Sequence, residues 1–467
     1  MSEDSYPLEA NLTDAFAQYC VNLRYSDLPE RTRRSVRMLY LDYVAAVHAG
    51  FIINESFNDS VMSVLSPAES FGNSSVFFLK EKTSATKAAF LNAMLAHGAD
   101  MDDGHKALQA CGSPCCFRLN GGCRSQDVKH SRFRCSMVAG YDVFCRLSSA
   151  CMPGMVHRGF HSTGTAGAIA SAAAVAKLIG LDIAGVRSAI ALSSTQAAGL
   201  LLVGETSQEV KPLSPARAAE AGVLSALLAE CGVVGPDRPL ESAKGWCHAM
   251  SSVVDTDLLF DGLGERYSID ECYLKPYPTC RHTHGCIEAA SSLSFCVEAS
   301  DIECIRIFTY GHAIELAGFN GNPRNASEAK FSIQYAVAVA LCAGTFTLDN
   351  LNVENITQEV RRLMAIVELI RDDSYEEPQR GIRGCRLEVV LNNGDMLTRS
   401  VLARSEPENP FTYEDMMNKL QSCLVAKDGR VVSRKCVEQF AFEQIKLLNS
   451  PESPFVFPIF RESASNL

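Results

Sequence analysis

The sequence predicts a mainly α protein, a large all-α helical domain interrupted by a smaller α+β unit. Three observations predict it. Apolar residues recur at helical spacing from the N-terminus to about residue 265. One strong hairpin signal, Asn392-Asn393-Gly394-Asp395, lies between two alternating apolar runs at 385–391 and 396–402. Helical spacing then returns over 411–449. At 467 residues the chain is too long for one core. The expected division is 1–268 for the first helical part, 269–404 for the α+β unit, and 405–467 for C-terminal helices completing the helical domain.

Residues 8–24 carry helical spacing, and 31–50 place Val36, Leu39, Tyr40, Tyr43 and Val44 on one stripe. The run 75–79 suggests a short strand. A helix follows over 82–97, with Thr83 or Ser84 as its N-cap. Further helices are expected over 136–150, 163–180, 182–197, 214–232 and 239–252, several divided by Gly or Pro. The apolar tract 162–204 is broken by Lys177, Asp182 and Arg187, so it reads as Ala-rich helices packed in a core rather than a membrane span. After Tyr267 the pattern changes. Residues 302–310 read as a strand, and helices at 284–296, 328–343 and 355–370 interleave with it and with the hairpin.

The composition is globular, 47% apolar and 21% charged. A net charge of −11 argues against non-specific nucleic-acid binding, yet leaves room for a local cationic pocket and a small anionic substrate. The 19 cysteines accompany an acidic N-terminus without a secretory or transit signal, so they are expected to be reduced and the protein cytoplasmic. The N-x-S/T sequons at Asn11, Asn73, Asn325 and Asn355 then carry no meaning.

Five clusters carry candidate chemistry. The first is His97-Gly-Ala-Asp100-Met-Asp102-Asp103-Gly-His105, just past the apolar helical run 88–96. A helix end suits acid–base groups, and Asp100, Asp102 and Asp103 compete for the role of general base. The alternative is a solvated acidic helix terminus. The second is His157-Arg-Gly-Phe-His161-Ser-Thr-Gly-Thr165. Free N–H groups at a helix start favour anions, and His161 could add a donor or carry a proton. The alternative is capping by Thr163 or Thr165, with His161 merely packed nearby. The third is Val210-Lys211-Pro-Leu-Ser214-Pro-Ala-Arg217, where Lys211 or Arg217 could pair a substrate carboxylate, or simply be solvated. The fourth is Lys275-Pro-Tyr277-Pro-Thr-Cys280-Arg281-His282-Thr-His284. Its prolines hold it extended at the change of pattern, where a cleft between domains would form. The fifth is Cys111-Gly-Ser-Pro-Cys115-Cys116, running through Cys123, His130 and Cys135. A zinc site is conceivable there, but no CxxC pair supports it.

The segments HGADMDDGH, HRGFHSTGTAG, VKPLSPARAAEAG, KPYPTCRHTHG and SEAKFSIQYAVAVAL occur in that order. Together they resemble the MmgE/PrpD family, which includes 2-methylcitrate dehydratase, cis-aconitate decarboxylase and iminodisuccinate epimerase. The resemblance spans roughly residues 10–450. It implies that the α+β unit is a lid inserted in the helical domain, that the protein is a homodimer, and that catalysis needs neither metal nor organic cofactor. It places Asp100 at the acidic active-site position, His161 at the histidine of the second motif and Lys211 at the lysine of the third. Lys275 and His284 match basic positions of the lid motif. Cys280 stands where the decarboxylase branch has a histidine, a form closer to the dehydratase and epimerase-like branch. Ser214 replaces a family histidine. Near Cys111 the family's His-Pro-Gly and Ala-rich helix are absent, and apolar periodicity is lost up to Met137. A cysteine there would normally be neutral at pH 7, its free pKa being about 8.5.

The resulting expectation is a lyase acting on a small di- or tricarboxylate. Asp100, His161 and Lys211 form the catalytic set, with Lys275, Arg281, His284 and Cys280 binding substrate. The alternatives are an isomerase or epimerase of the same family, a catalytically impaired carboxylate-binding paralogue, and a cysteine metal site at 111–135.

Overall fold

A computed structural model of the chain describes residues 11–53, 55–65, 72–106, 130–205, 209–377, 382–405, 409–424 and 432–449. The expectations placed on Cys111, Cys115, Cys116 and Cys123 lie outside these residues.

The longer helices before residue 265 are α1 (Leu12–Asn22), α2 (Glu30–Ile53), α3 (Glu55–Leu65), α4 (Ala85–Gly98), α5 (His130–Ala150), α6 (Ser162–Ile179), α7 (Ile183–Ser194) and α8 (Leu213–Glu230). The stripe Val36, Leu39, Tyr40, Tyr43 and Val44 is buried. Ser84 is the N-cap of α4, its side chain accepting from the Lys87 amide. The Ala-rich α6 is buried along nearly its whole length and packs against α5, α7 and α8. Small residues permit that approach. A Cβ added at Gly222 on α8 would lie 2.3 Å from Ser171 Cβ on α6.

Two expected elements are much shorter than the spacing suggested. Of the run 75–79 only Ser75 joins a strand, Ser74–Ser75 pairing with Lys82–Thr83. Asn92 explains the early stop. Its side chain accepts from the Phe77 amide and donates to the Ser75 carbonyl, replacing a ladder, while Phe77 packs edge-on to Tyr43. Over 239–252 only Trp246–Met250 is helical. The amides of Trp246 and Cys247 turn back to the carbonyls of Pro239 and Leu240, and Gly245 sits where a Cβ would meet three carbonyl oxygens.

The acidic segment after α4 forms a two-residue strand, β1 (Gly104–His105), antiparallel to β2 (Cys272–Tyr273). Gly104 is required there, since its Cβ would lie 2.4 Å from the Tyr273 ring. Next come α9 (His284–Leu293), β3 (Ile302–Thr309), α10 (Ile333–Ala343), α11 (Gln358–Ala365), β4 (Val367–Arg371), β5 (Glu376–Glu377), β6 (Ile382–Leu391) and β7 (Met396–Leu402). One sheet runs in the order β4-β3-β6-β5, with β7 also on β6. The β6–β7 hairpin turns at Gly394, whose φ is +87°. The helix expected over 355–370 stops at Ala365, because 367–371 pairs in parallel with β3. The helix expected over 328–343 is broken in two, Ala326–Ala329 and α10, with Ser332 capping the second part and Lys330 in the break. Helix α9 packs on β6 and β7.

The chain then returns to the first helices. Helices α12 (Tyr413–Cys423) and α13 (Arg434–Asn449) pack against α2, and α13 also reaches α5. The Gly222→Ala variant is expected to lose about 1–3 kcal/mol of stability, the usual cost of overpacking. Chemical denaturation measures this, and an unchanged midpoint would remove the close α6–α8 contact.

Candidate active site

The acidic segment is not a solvated helix end. Asp100, Asp102 and Asp103 are each buried, and each has a different partner. Asp102 Oδ2 lies 2.8 Å from His97 Nδ1. Asp103 accepts from the Tyr141 hydroxyl at 2.9 Å. Asp100 is held by two ammonium groups. Lys275 Nζ donates to its Oδ1 at 2.7 Å, and Lys211 Nζ to its Oδ2 at 2.9 Å.

The local backbone accounts for this convergence. Helix α4 ends at Gly98, and Asp100 follows in the left-handed region, with φ +52°. The last carbonyls of a helix lack intrahelical donors and carry the negative end of its dipole. Buried lysines fill that role. Lys330 Nζ donates to the Gly98 carbonyl at 2.7 Å, and Lys275 Nζ to the Asp100 carbonyl at 3.0 Å. Lys330 was not singled out in the sequence. Its signal was a lysine inside the otherwise apolar run of the fifth quoted segment.

Charge balance fixes the protonation states. Burial alone would raise the pKa of Asp100, but Lys211 and Lys275 outweigh it and hold the carboxyl well below the usual range. Asp100 is therefore a carboxylate and, while so paired, a weak base. Burial lowers Lys330 to about 8, with Asp100 opposing the shift and Lys211 adding to it. Burial and the nearby Arg281 and Lys275 hold His284 neutral, its pKa well below the ordinary histidine value. Burial likewise lowers His105 to about 4.

His161 directly precedes α6, and its Nδ1 lies 3.0 Å from Ser214 Oγ. Thr163 and Thr165 lie inside the helix and do not cap it; Thr165 Oγ1 donates back to the His161 carbonyl at 3.0 Å. Lys211 is in the cluster, whereas Arg217 faces solvent and pairs with Glu220 at 2.5 Å. The fourth motif divides. Lys275 reaches Asp100, while the Arg281 guanidinium lies 4.6 Å from the centre of the Tyr273 ring and donates to the Arg404 carbonyl at 2.7 Å. His284 Nε2 is 3.2 Å from the Thr279 carbonyl. Cys280 is buried, and its amide donates to the Lys330 carbonyl at 2.8 Å, tying the fourth motif to the fifth.

Asp100, Lys211 and Lys330 line a small pocket with His97, Ser327 and Phe331. Its volume is about 20 Å³, room for about one water. A larger groove of about 630 Å³ lies beside it and reaches Ser214, the partner of His161. The small pocket marks the chemistry, because Asp100, Lys211 and Lys330 line it and not the groove, together with the carboxylate of Glu209 at its exposed side. His97, Asp100 and Asp102 place potential ligand atoms within 4.8 Å of one another. Two ammonium groups already touch Asp100, however, and they oppose a cation at that position. What the cluster favours is an anion that can take over lysine contacts from Asp100.

Comparison with known proteins agrees with the motif pattern. The chain is 24% identical over 444 residues to the cis-aconitate decarboxylase-like protein oryM of Aspergillus oryzae, covering 89% of this chain and 91% of that protein. It is 25% identical over 430 residues to the cis-aconitate decarboxylase of Homo sapiens, covering 88% and 87%. It is 22% identical over 442 residues to that of Aspergillus terreus, covering 89% of each. The MmgE/PrpD N-terminal domain matches residues 14–258 and the MmgE/PrpD C-terminal domain residues 277–438. With both domains matched in order across most of its length, the chain belongs to the MmgE/PrpD family.

Proposed function

We propose that the chain is a cofactor-independent lyase acting on a small di- or tricarboxylate. The observation that carries this is the buried Asp100 carboxylate between Lys211 and Lys275, with Lys330 on the adjoining helix end. Of the family's reactions, the relatives favour decarboxylation of a cis-aconitate-like substrate, with dehydration of a 2-methylcitrate-like one as the second reading.

In this reading a substrate carboxylate displaces Asp100 from one or both lysines. The displacement has two consequences. The ammonium groups now face the charge that develops as the C–C bond breaks and carbon dioxide leaves. Asp100, relieved of its cations, regains basicity. The electron pair left on carbon spreads through the adjacent double bond and carboxylate until a proton is delivered to carbon. His161 is the proposed proton carrier. In dehydration the same groups would instead remove a proton next to a carboxylate and assist loss of water. Because the pocket holds about one water, substrate binding must widen it.

The direct test is incubation of the purified chain with cis-aconitate, citrate and 2-methylcitrate, with products followed by NMR. Turnover of cis-aconitate is expected. Neither turnover nor a carboxylate-induced rise in Tm on any of the three would remove this reading, and binding without turnover would point to a carboxylate-binding paralogue. Lys275→Ala and Lys211→Ala should each lower kcat/KM by about 10²-fold or more, the scale on which a preorganised electrostatic contact acts. Lys330 adds a pH signature. Its ammonium is charged below about pH 8 and neutral above, so kcat/KM should fall as pH rises through about 8. Lys330→Arg, which stays charged, should move that fall to higher pH; an unmoved limb assigns it to another group.

A further inference from the structure

Met101 stands between Asp100 and Asp102, and its surroundings come from the far end of the chain. Lys419 on α12 is fully buried. Its Nζ lies 2.5 Å from the Met101 carbonyl oxygen and 2.5 Å from Asp42 Oδ1 on α2. The same helix brings Cys423 Sγ to 3.6 Å from Met101 Sδ. We propose that Lys419, seated by Asp42, is a positioning residue for the reaction: it anchors the Met101 carbonyl and so fixes the backbone that presents Asp100 to Lys211 and Lys275. This rests on the role given to Asp100 under the proposed function.

Three observations support it. The left-handed conformation of Asp100 is uncommon for a side-chain-bearing residue, Asp being one of the few that visit it, and its surroundings hold it there. Here three carbonyls within four residues, those of Gly98, Asp100 and Met101, each accept from a buried ammonium on a different segment, Lys330, Lys275 and Lys419. Without Lys419 the carbonyl directly after Asp100 loses that donor, and the next side-chain anchors are the Asp102–His97 and Asp103–Tyr141 contacts. Second, a buried ion pair is a poor way to gain stability, since an apolar pair of equal volume commonly does as well. Burial drives Asp42 up to about 6 against the pull of Lys419 beside it. Third, the ammonium does more than satisfy Asp42, because its other contact is a main-chain oxygen of the acidic segment. Its position is that of a support behind the site, and it makes no contact with Asp100 itself among the described residues.

The experiment compares two neutral pairs in the full chain, Asp42→Asn with Lys419→Met and Asp42→Asn with Lys419→Gln. Neither leaves a buried charge without its counter-charge, which the Lys419→Met variant alone would do and which commonly unfolds a protein. The methionine pair lacks a donor for the Met101 carbonyl, and the glutamine pair retains one. The methionine pair should melt near wild type and lose about 10- to 100-fold in kcat, the scale of a small misplacement of a reacting group. Its KM should change less than about threefold, because lysine contacts to substrate remain. Its crystal structure should show Asp100 moved from Lys275. The glutamine pair should keep most of kcat. Equal losses in both pairs, a fall in kcat with Asp100 in place, or wild-type kcat in the methionine pair would each overturn the proposal. If the methionine pair does not fold, the glutamine pair decides: retained kcat supports the positioning role and lost kcat overturns it. If wild-type protein turns over no carboxylate, the reading of function fails separately. The positioning claim is then decided by where Asp100 lies in the methionine-pair crystal structure.

Discussion

The structure around the candidate site depends on one constraint, a buried carboxylate that must be neutralised by its neighbours. Taking an ionised aspartate into a protein interior is costly unless cations and hydrogen bonds replace its hydration. Asp100 obtains both from Lys211 and Lys275, which lie 111 and 175 residues further along the chain. That requirement draws three of the quoted motifs to one point. It also explains why the short β1–β2 pairing exists, since it brings the segment carrying Lys275 alongside the end of α4. The same logic repeats nearby at Asp42 with Lys419, and Asp102 lies within hydrogen-bond distance of His97.

Much of this was legible in the sequence because polar groups stood out against apolar helical spacing. Asp100 follows the end of a periodic run, Lys211 precedes the start of one and Lys275 stands at the change of pattern, so their motifs marked themselves. The strand at 302–309 and its hairpin partners were legible for a similar reason, the alternation and the Asn-Gly turn. What failed was information held by partners distant in the chain. Residues 367–371 continue a helical spacing locally, and only the edge of β3, some 62 residues earlier, makes them a strand. Residues 75–79 have strand composition, but the Asn92 side chain captures their backbone. Asp42 and Lys419 sit 377 residues apart on helices that each look ordinary, and nothing in either spacing names the other. Lys330 was hidden by resembling a solvated helix lysine; a helix break at that residue turns it inward.

Net charge was an equally incomplete guide. The chain carries −11 overall, yet the buried Asp100 carboxylate is in direct contact with two lysines, and a third reaches the Gly98 carbonyl beside it. Surface charge governs long-range encounter, whereas a desolvated pocket responds to the few groups that line it. Those groups act cooperatively on one another. Asp100 holds Lys211 and Lys275 in place, they keep it ionised, and burial lowers Lys330 to about 8. An incoming anion thus meets cations already arranged, with their desolvation accomplished during folding.

The placement of Lys419 has a consequence for how the molecule comes into being. Met101 and its neighbouring acids leave the ribosome some 318 residues before the cation that anchors them. Until α12 docks, Asp42 lacks its counter-ion, and the segment after α4 lacks one of its three lysine anchors. Contacts separated this widely form late in folding, since long loops must close first. Vectorial synthesis therefore delivers the acids early and completes their cage at the very end, so that a nascent or C-terminally clipped chain would carry the chemical groups without their working arrangement.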